Sequence, residues 1–376
     1  MTGRTRRSFD VVIVGAGVQG LSSAFFLAKN SRKKIALIEA ESSYGLGSSS
    51  RSGSMIMKSR ENRPKIELSL YSFSVFEKFR SIFGEELNFR RTGFLSLVSD
   101  ELAERYASEH RLRLELGVPS QELSRSQIAA MCPQVNLDQI EFGVFCGDDG
   151  EVDAEQIMRC YHQGAEALGV ECFFGHRVKG FGTAADQITK VVTEDVEFDC
   201  DFVVNAAGAC APEVTRLAGL NLPQNNLRRS IFFTRVDRPN RYAGPMVEDA
   251  SLEWYYRGLP DGRVLIGMGL EPSSTATDGP NMEFLQEIRK ATQMRVPSLA
   301  GFEVESGHSG IRPLSPDIIP LIGPTRAFSN FIMNTGWGGE GIMHSPGGGA
   351  IVADVINGTS NYAYDITAFA PDRFEM

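Results

Sequence analysis

A short apolar run that leads into a glycine fingerprint constrains this chain more than any other feature. Val11 to Val14 are all apolar and β-branched, and the pattern Gly15-x-Gly17-x-x-Gly20 follows at once. A run without polar residues is typical of a strand covered on both faces in a parallel sheet. Apolar residues then recur at helical spacing, which predicts a strand, a tight turn and a helix.

This order of elements predicts a dinucleotide-binding site. Glycine permits a tight turn and a close approach of the backbone to a pyrophosphate, which binds the free N–H groups and positive dipole end of the helix. A second predicted strand, residues 34–38, ends at Glu39, whose carboxylate is placed to accept hydrogen bonds from ribose hydroxyls. The fingerprint leaves NAD and FAD open, and a glycine turn in another α/β protein is the alternative.

A glycine- and serine-rich segment, residues 45–55, follows the second strand. Such a composition alone indicates a flexible linker. The embedded Arg51 and the position directly after an acid-ended strand instead favour a loop that binds phosphate and the cofactor ring.

Composition narrows the class of partner. The chain has 376 residues, a net charge of −9 and no long basic block, so we expect a small-molecule partner and no nucleic acid. The six cysteines form no C-x-x-C pair and no metal-like spacing, which favours a reducing compartment without a metal site. The sequence contains no uncharged apolar run of about 18 residues, so no transmembrane helix is predicted. We therefore expect a cytoplasmic protein.

The middle of the chain predicts a return to the nucleotide sheet. Residues 153–168 have the spacing of an amphipathic helix, and the strand-like residues 170–174 and 176–178 follow. The apolar run 202–205 then leads into Ala206-Ala207-Gly208, whose small side chains permit close approach of a cofactor.

From about residue 217 the pattern changes to an antiparallel sheet. Residues 254–257 and 264–268 flank a Pro-Asp-Gly turn, which predicts a hairpin. Alternation sends Tyr255 and Arg257 to one face and Tyr256 to the other. As a group the aromatic residues here suit a wall over a cofactor ring, although packing in a core is at least as good an explanation for each alone.

A second glycine-rich segment lies near the end of the chain, at residues 336–349. Three consecutive glycines, 347–349, each cost a helix about 1 kcal/mol against alanine, so something requires their small size. A close approach to a cofactor or to the first strand is the expected reason. Gly358 is predicted to cap the helix at its other end.

These motifs in this order closely resemble the D-amino-acid oxidase superfamily of FAD enzymes, in its sarcosine oxidase, glycine oxidase and dimethylglycine dehydrogenase branch. The resemblance covers nearly the whole chain. It rests on the fingerprint, on Gly310-x-Arg312-Pro-x-x-Pro316-Asp317-x-x-Pro320 and on the terminal glycine segment.

The resemblance implies an α/β (α+β overall) fold with a Rossmann-like FAD-binding domain and an inserted antiparallel-sheet substrate domain. The FAD-binding domain is expected to be discontinuous, over residues 1–90, 145–216 and 310–376. The substrate domain is expected over residues 91–144 and 217–309.

The resemblance also implies FAD, held non-covalently, because no cysteine lies in the terminal segment or beside Arg51. The expected reaction is oxidation of a primary or secondary amine, an amino acid of the sarcosine, glycine, proline or N-methyl type, by hydride transfer from its α-carbon. The alternatives are a 2-hydroxyacid dehydrogenase of the same superfamily and a non-catalytic flavoprotein subunit or assembly factor. The electron acceptor is expected to be oxygen or a redox partner, and the chain is a candidate subunit of a larger complex.

Four residues are candidates for substrate contact. Arg312 stands where glycine oxidase-like members hold the substrate carboxylate, and a structural ion pair with Asp317 is the alternative. Arg257 is the second candidate for that task, and Tyr256 is expected to close over the substrate. His344 is a candidate base, although a lone histidine is more often a structural hydrogen-bonding group.

The cofactor is expected to contact residues from all these segments, including the N–H groups of 341–343 beside the pyrimidine edge of the flavin. The full set is Gly15, Gly17, Val18, Gln19, Gly20, Glu39, Ala40, Gly47, Ser48, Ser49, Arg51, Ser52, Gly53, Val178, Ala207, Gly208, Gly338, Gly339, Glu340, Gly341, Ile342 and Met343. The chain departs from the family at three places: Met343 and Leu265 stand where sarcosine oxidases usually carry lysine, and Glu340 stands where many relatives carry histidine.

Overall fold

The computed structural model describes residues 4–235, 242–269, 271, 279–361 and 364–376. Within them the strands are β1 Thr5–Ser8, β2 Val11–Val14, β3 Ile35–Glu39, β4 Met55–Ile56, β5 Phe89–Arg90, β6 Phe94–Val98, β7 Ser120–Leu123, β8 Phe142–Cys146, β9 Gly150–Val152, β10 Glu171–Phe174, β11 Gly180–Ala184, β12 Gln187–Val192, β13 Val196–Asp199, β14 Phe202–Asn205, β15 Asn225–Thr234, β16 Met246–Asp249, β17 Trp254–Gly258, β18 Val264–Met268, β19 Val304–Leu314, β20 Leu321–Pro324 and β21 Phe331–Thr335. The helices are α1 Val18–Asn30, α2 Arg63–Phe76, α3 Phe79–Phe83, α4 Ala103–Glu115, α5 Arg125–Met131, α6 Ala154–Ala167, α7 Ala211–Arg216, α8 Leu285–Arg295 and α9 Ser345–Asn357.

A six-stranded sheet forms the nucleotide half of the molecule. Its order is β10-β3-β2-β14-β21-β20, and every neighbouring pair is parallel except β20 with β21. All four residues of β2 are buried, as their uninterrupted apolar character predicts. Strand, turn and helix follow each other here as expected, and β14 returns to this sheet as expected. The α/β fold class with an added antiparallel sheet is confirmed.

An eight-stranded sheet, ordered β19-β15-β18-β17-β16-β6-β8-β7, forms the other half. All its described neighbours are antiparallel except β16 with β6. The predicted hairpin is present, with β17 paired to β18. The expected domain borders at 144/145 and 309/310 fall inside β8 and β19, so each of these strands crosses a proposed border.

Two smaller sheets complete the described strands. One has the order β1-β13-β12-β11 and the other β4-β9-β5. No helix among the described residues combines the length and the apolar character needed to cross a lipid bilayer.

The three glycines at the start of α9 pack against other helices. A β-carbon at Gly347 would lie 2.3 Å from Leu68 of α2, and one at Gly349 would lie 2.2 Å from the hydroxyl of Ser22 in α1. At Gly348 it would lie 2.3 Å from Gln19, also in α1. The expected approach to a cofactor or to the first strand is therefore wrong for these glycines, because helix–helix contact requires their small size. The predicted cap at Gly358 is present, with φ of 65°.

Candidate active site

A cavity of 1020 Å³ lies where the carboxyl ends of β2, β3 and β14 face the larger sheet. Val14, Ile38 and Ala206 line it from the nucleotide half, and Ile231 and Arg312 line it from the larger sheet. Ligands of open α/β sheets bind at this edge. The volume is at the upper end of the range for ligand pockets, about 300–1,000 Å³.

The glycine fingerprint forms one wall of the cavity. Gly15 has φ of 101°, and a β-carbon there would lie 2.6 Å from the carbonyl oxygen of Ala206, so only glycine suits this turn. Helix α1 begins at Val18, whose N–H donates to Ser49 Oγ at 3.1 Å. The helix N-terminus therefore opens on the cavity, as anion binding requires.

Glu39 lies at the end of β3 and lines the same cavity. Its carboxylate accepts from the N–H of Ala16 at 2.7 Å and from the N–H of Glu41 at 3.0 Å. These contacts hold the carboxylate beside the fingerprint turn. Its role in binding ribose stays a prediction that this position supports.

The serine-rich segment is anchored to the larger sheet. Ser48 Oγ donates to the carbonyl oxygen of Ile311 at 2.7 Å, and the guanidinium of Arg257 donates to the carbonyl oxygen of Gly53 at 2.9 Å. Residues 48–51 form a short 3-10 helix. These contacts favour the interpretation of residues 45–55 as a cofactor-binding loop over their interpretation as a flexible linker.

The N-terminal and C-terminal glycine segments meet. Gln19 Nε2 donates to the carbonyl oxygen of Gly341 at 2.9 Å, and Ser22 Oγ donates to that of Ser345 at 2.5 Å. Gln19 Oε1 is buried without a hydrogen-bond partner among the described residues, and Gln19 lines the cavity. It is therefore an acceptor available to a ligand.

Most of the predicted cofactor residues line this cavity. They are Gly15, Gly17, Val18, Gln19, Glu39, Ala40, Gly47, Ser48, Ser49, Arg51, Ser52, Gly53, Val178, Ala207, Gly208, Gly338, Gly339, Gly341 and Ile342. Gly20, Glu340 and Met343 do not line it. A β-carbon at Gly20 would lie 1.8 Å from the carbonyl oxygen of Gly15, so Gly20 packs the helix on the turn, and Met343 lies in the core behind the cavity.

Glu340 belongs to a cluster of four charged side chains. Its carboxylate contacts Arg60 and lies 3.0 Å from Lys65 Nζ, while Glu61 lies 2.8 Å from Arg60 and 2.6 Å from Lys65. Burial opposes ionisation, but Arg60 and Lys65 lower the pKa of Glu61 to about 2. The two cations and two anions neutralise each other, so this cluster brings no net charge to the cavity. The sequence carries no signal that joins α2 to residue 340.

Arg312 lines the cavity, and its guanidinium makes no ion pair with any described residue. The alternative pairing with Asp317 does not occur, because Asp317 binds Arg373 at 2.8 Å. Burial and the nearby Arg229 lower the pKa of Arg312 to about 9, which still leaves the group charged at neutral pH. A charged guanidinium without a counter-ion at a cavity wall suits an anionic ligand.

Arg257 does not line the cavity. Its guanidinium is buried and lies 3.0 Å from Glu151, which also contacts Arg90. Burial and Arg90 lower its pKa to about 10. The structure therefore gives Arg257 a place in an ion-pair network that supports the loop at Gly53, and the expected role as a second carboxylate anchor is not supported.

Tyr256 lies on the wrong face of its strand to close over a substrate. It packs in a core cluster with Trp254 and Ile288 of α8, and its hydroxyl accepts from Gln134 Nε2 at 2.6 Å. The alternation of faces along β17 was predicted correctly. Its neighbour Tyr255 is the aromatic residue on the face turned toward the nucleotide half.

His344 is completely buried behind the cavity wall. Its Nε2 lies 2.8 Å from Ser69 Oγ, and its Nδ1 lies 3.5 Å from Glu340. Burial, with Arg60 and Lys65 nearby, lowers the pKa of His344 well below its usual value. A neutral, enclosed imidazole suits a structural hydrogen bond better than a base that contacts substrate.

Arg229 is a cavity residue that sequence reasoning missed. It lies on β15 and contacts the ring of Tyr255, with its guanidinium carbon 4.8 Å from the ring centre. Its Nε is buried without a hydrogen-bond partner among the described residues. Only the pairing of β15 with β19 brings it beside Arg312, and one sequence carries no signal for that pairing.

The cavity is also lined by residues that the sequence did not predict. They are Leu46, His176, Arg177, Cys210, Glu213, Arg216 and Leu217. Cys210 is one of them and is exposed, so one thiol does reach the cavity. The non-covalent attachment of the cofactor stays a prediction.

One group of metal-ligand side chains lies outside the cavity. His162, Glu166 and Cys172 place their ligand atoms within 4.8 Å of one another. Burial and Glu166 raise the pKa of the Cys172 thiol to about 11, so without a metal ion this thiol is protonated at neutral pH.

Comparison with known proteins then identifies the family. Residues 10–355 match the family described as FAD dependent oxidoreductase. The chain belongs to this family. Its cofactor is therefore FAD, and the cavity fits this group: it offers a fingerprint turn, the unpaired acceptor of Gln19 and a helix N-terminus.

Individual relatives of this FAD oxidoreductase are distant. Sarcosine oxidase subunit beta of Rhizobium meliloti (strain 1021) is 25% identical over 377 residues, which are 98% of this chain and 88% of that protein. The mitochondrial pyruvate dehydrogenase phosphatase regulatory subunit of Mus musculus is 23% identical over 361 residues, which are 92% of this chain but only 41% of that protein. Among solved structures, L-proline dehydrogenase from P. horikoshii matches with a TM-score of 0.88 at 23% identity, covering 100% of this chain and 98% of that one. The last match shows a shared fold.

Proposed function

We propose that this FAD oxidoreductase oxidises the carbon–nitrogen bond of an amino acid, with a primary or secondary amine as the reacting group. The observation that carries the proposal is Arg312, a partly buried guanidinium at the cofactor cavity with no counter-ion among the described residues. A guanidinium binds a carboxylate with two parallel hydrogen bonds, which fix orientation as well as position. A carboxylate held there places the adjacent α-carbon inside the cavity.

The chemistry needs few protein groups. FAD, when bound, supplies the acceptor for a hydride. The substrate loses the α-hydrogen with its electron pair, the carbon–nitrogen single bond becomes a double bond, and water hydrolyses the resulting imine to an oxo acid and an amine. Arg312 contributes by fixing the α-carbon, and such positioning supplies much of a rate enhancement.

The backbone beside Arg312 suits charge that develops on the cofactor. Gly339, Gly341 and Ile342 line the cavity directly before α9. N–H groups near a helix N-terminus stabilise negative charge. The names of two relatives, sarcosine oxidase and L-proline dehydrogenase, support an amino-acid substrate.

The electron acceptor is oxygen or a protein redox partner. Neither Leu265 nor Met343 offers a cation, and both are buried in apolar surroundings. One relative is named as a subunit, which supports a place for this chain in a complex.

Anaerobic reduction of the bound flavin tests the proposal. The purified holoprotein is mixed without oxygen with matched pairs, alanine with lactate, sarcosine with glycolate and glutamate with 2-hydroxyglutarate, and the loss of flavin absorbance is followed. Reduction by the amino member alone supports the proposal. Reduction by the hydroxy member alone would make the chain a 2-hydroxyacid dehydrogenase, and no reduction by any amine or hydroxy acid would make it a non-catalytic flavoprotein, a role that the name of the mouse regulatory subunit favours.

A further inference from the structure

The sheet register places Arg229 and Arg312 on one face. Arg229 pairs with Gly310 in the neighbouring strand, and Arg312 pairs with Leu227, which is two residues from Arg229. Side chains two apart on a strand share a face, so the two arginines are diagonal neighbours, about 7–8 Å apart at the backbone. Both line the cofactor cavity.

Neither guanidinium is neutralised by an ion pair within the part of the chain that the structure describes. Arg228, the neighbour of Arg229 on the opposite face, binds Glu271 at 3.0 Å. The guanidinium of Arg229 donates a hydrogen bond to the backbone carbonyl oxygen of Glu253 at 3.4 Å. Two adjacent cations without counter-ions repel each other at this wall, and a ligand with two negative charges removes that repulsion.

Other charged groups near this wall do not cancel the pair. Arg60 and Lys65 are matched by Glu61 and Glu340 in the cluster described above. Glu248 shares the face, because it pairs with Tyr255 across β16 and β17. Its hydrogen bond is to Ser96 Oγ at 3.5 Å, and burial raises the pKa of its carboxyl while Arg229 lowers it. A fully ionised Glu248 would still leave one excess positive charge on these three side chains, and the carboxylate of Glu253, which also acts on Glu248, is exposed to solvent.

We propose that the substrate is an amino acid with a second acidic group, in which Arg312 holds the carboxylate next to the reacting carbon and Arg229 holds the other. The second group lies on the side chain or on the amine nitrogen, as in an N-carboxyalkyl amino acid. This inference rests on the proposed function. It adds Arg229 as the residue that selects a dianion over a monoanion.

The binding of acids that cannot be oxidised tests the dianion site independently of the oxidation reaction. Glutarate and pentanoate have the same number of carbon atoms, carry two and one negative charges, and contain no amine to oxidise. Their dissociation constants are measured on the holoprotein by the change in flavin absorbance, and independently by the shift in unfolding temperature. We expect glutarate to bind about tenfold more tightly than pentanoate. Equal binding would overturn the inference.

Two substitutions on the same face give opposite expected results. Arg229→Gln is expected to lower glutarate affinity about tenfold and to change pentanoate affinity less than about threefold. Glu248→Gln removes a negative charge that faces Arg229, so it is expected to raise glutarate affinity several-fold. The second variant keeps the test valid if the first fails to fold, and a glutarate affinity unchanged in Glu248→Gln argues against a second anionic site.

Arg235→Gln is the matched control. Arg235 follows the same strand and is paired only loosely, at 3.8 Å, with the exposed Glu303. Its loss removes one positive charge far from the cavity and is expected to leave the preference for glutarate intact. If this control abolishes the preference, net charge explains it and the assignment to Arg229 is wrong. If glutarate is preferred but no amine reduces the flavin, the proposed function fails while the dianion site stands.

Discussion

Gly339 provides the space in which the guanidinium of Arg312 lies. A β-carbon at Gly339 would stand 2.4 Å from Cζ of Arg312 and 2.7 Å from each of its terminal nitrogens. The two residues come from different segments: Arg312 lies on β19 and Gly339 in the glycine-rich turn before α9. The backbone of that turn therefore fixes both the wall beside the cofactor and the position of the Arg312 guanidinium, the proposed carboxylate anchor.

Gly339→Ala is expected to displace the anchor. The new methyl group would overlap the guanidinium, so the arginine side chain must move, and we expect the affinity for a simple carboxylate such as butyrate to fall about tenfold or more. The dissociation constant is measured by the change in flavin absorbance. Gly180→Ala is the control, because Gly180 lies on β11 outside the cavity and a β-carbon there would meet nothing within 4 Å. Unchanged affinity in Gly339→Ala would contradict this coupling.

Arg312→Ala is expected to weaken carboxylate substrates by about 2–4 kcal/mol, because the carboxylate would lose a buried, charge-assisted partner. Arg312→Lys keeps the charge but not the planar fork, so an intermediate loss is expected. Apparent affinity is obtained from the rate of anaerobic flavin reduction against substrate concentration. If both variants retain wild-type affinity, the anchor lies elsewhere, and Arg229 is the next residue to test.

Local patterns predicted the nucleotide half well. The buried strand β2, the turn at Gly15, the helix α1 and the acid Glu39 all depend on residues close together in the chain. Such short-range order is set by turn geometry and side-chain periodicity, which one sequence contains. Arg312 was found through its motif, and the cavity contains it.

The predictions failed where the position of a residue depends on contact between two segments that are distant in the sequence. The predicted alternation of side chains along β17 was correct. Which face meets the nucleotide half depends on the packing of α8 against the other face, and for this reason the prediction that Tyr256 closes over a substrate was wrong. Arg229 required the register of β15 with β19. The glycines of α9 required knowledge that α1 lies against them. Each of these is a tertiary contact, which local propensity does not contain.

Gly349→Ala is expected to destabilise the protein. In an isolated helix the change would be favourable by about 1 kcal/mol, but here the β-carbon would lie 2.2 Å from Ser22 Oγ and 2.6 Å from the Ser22 backbone. Backbone cannot move aside cheaply, so we expect a net loss of about 1–3 kcal/mol in the free energy of unfolding.

Urea unfolding of the holoprotein measures this loss. Gly301→Ala is its control, because a β-carbon at Gly301 would meet nothing within 4 Å, and the change should alter the free energy of unfolding by less than about 1 kcal/mol. If Gly349→Ala leaves the free energy of unfolding unchanged or raises it, α1 and α9 can move apart in the folded protein at little energetic cost.

The buried carboxyl of Asp149 is expected to give stability a distinct pH dependence. Asp149 is completely buried, accepts from the N–H of Lys58 at 2.7 Å and also contacts the hydroxyl of Ser59. Burial raises its pKa to about 6 in spite of these hydrogen bonds. In the unfolded chain the pKa is about 3.9, so between about pH 4 and pH 6 the folded state binds the extra proton.

The free energy of unfolding therefore falls as pH rises through this window and levels off above about pH 6, by up to about 3 kcal/mol from this group. Asp149→Asn keeps an acceptor for the Lys58 N–H and cannot ionise, so the difference between wild type and variant isolates the effect. We expect the variant to gain stability relative to wild type as pH rises from 4 to 7, measured by urea unfolding at each pH. Asp148→Asn removes the neighbouring, more exposed carboxylate and should retain the wild-type slope. A wild-type-minus-Asp149→Asn difference that does not change with pH would mean that the Asp149 carboxyl is solvated in the folded protein.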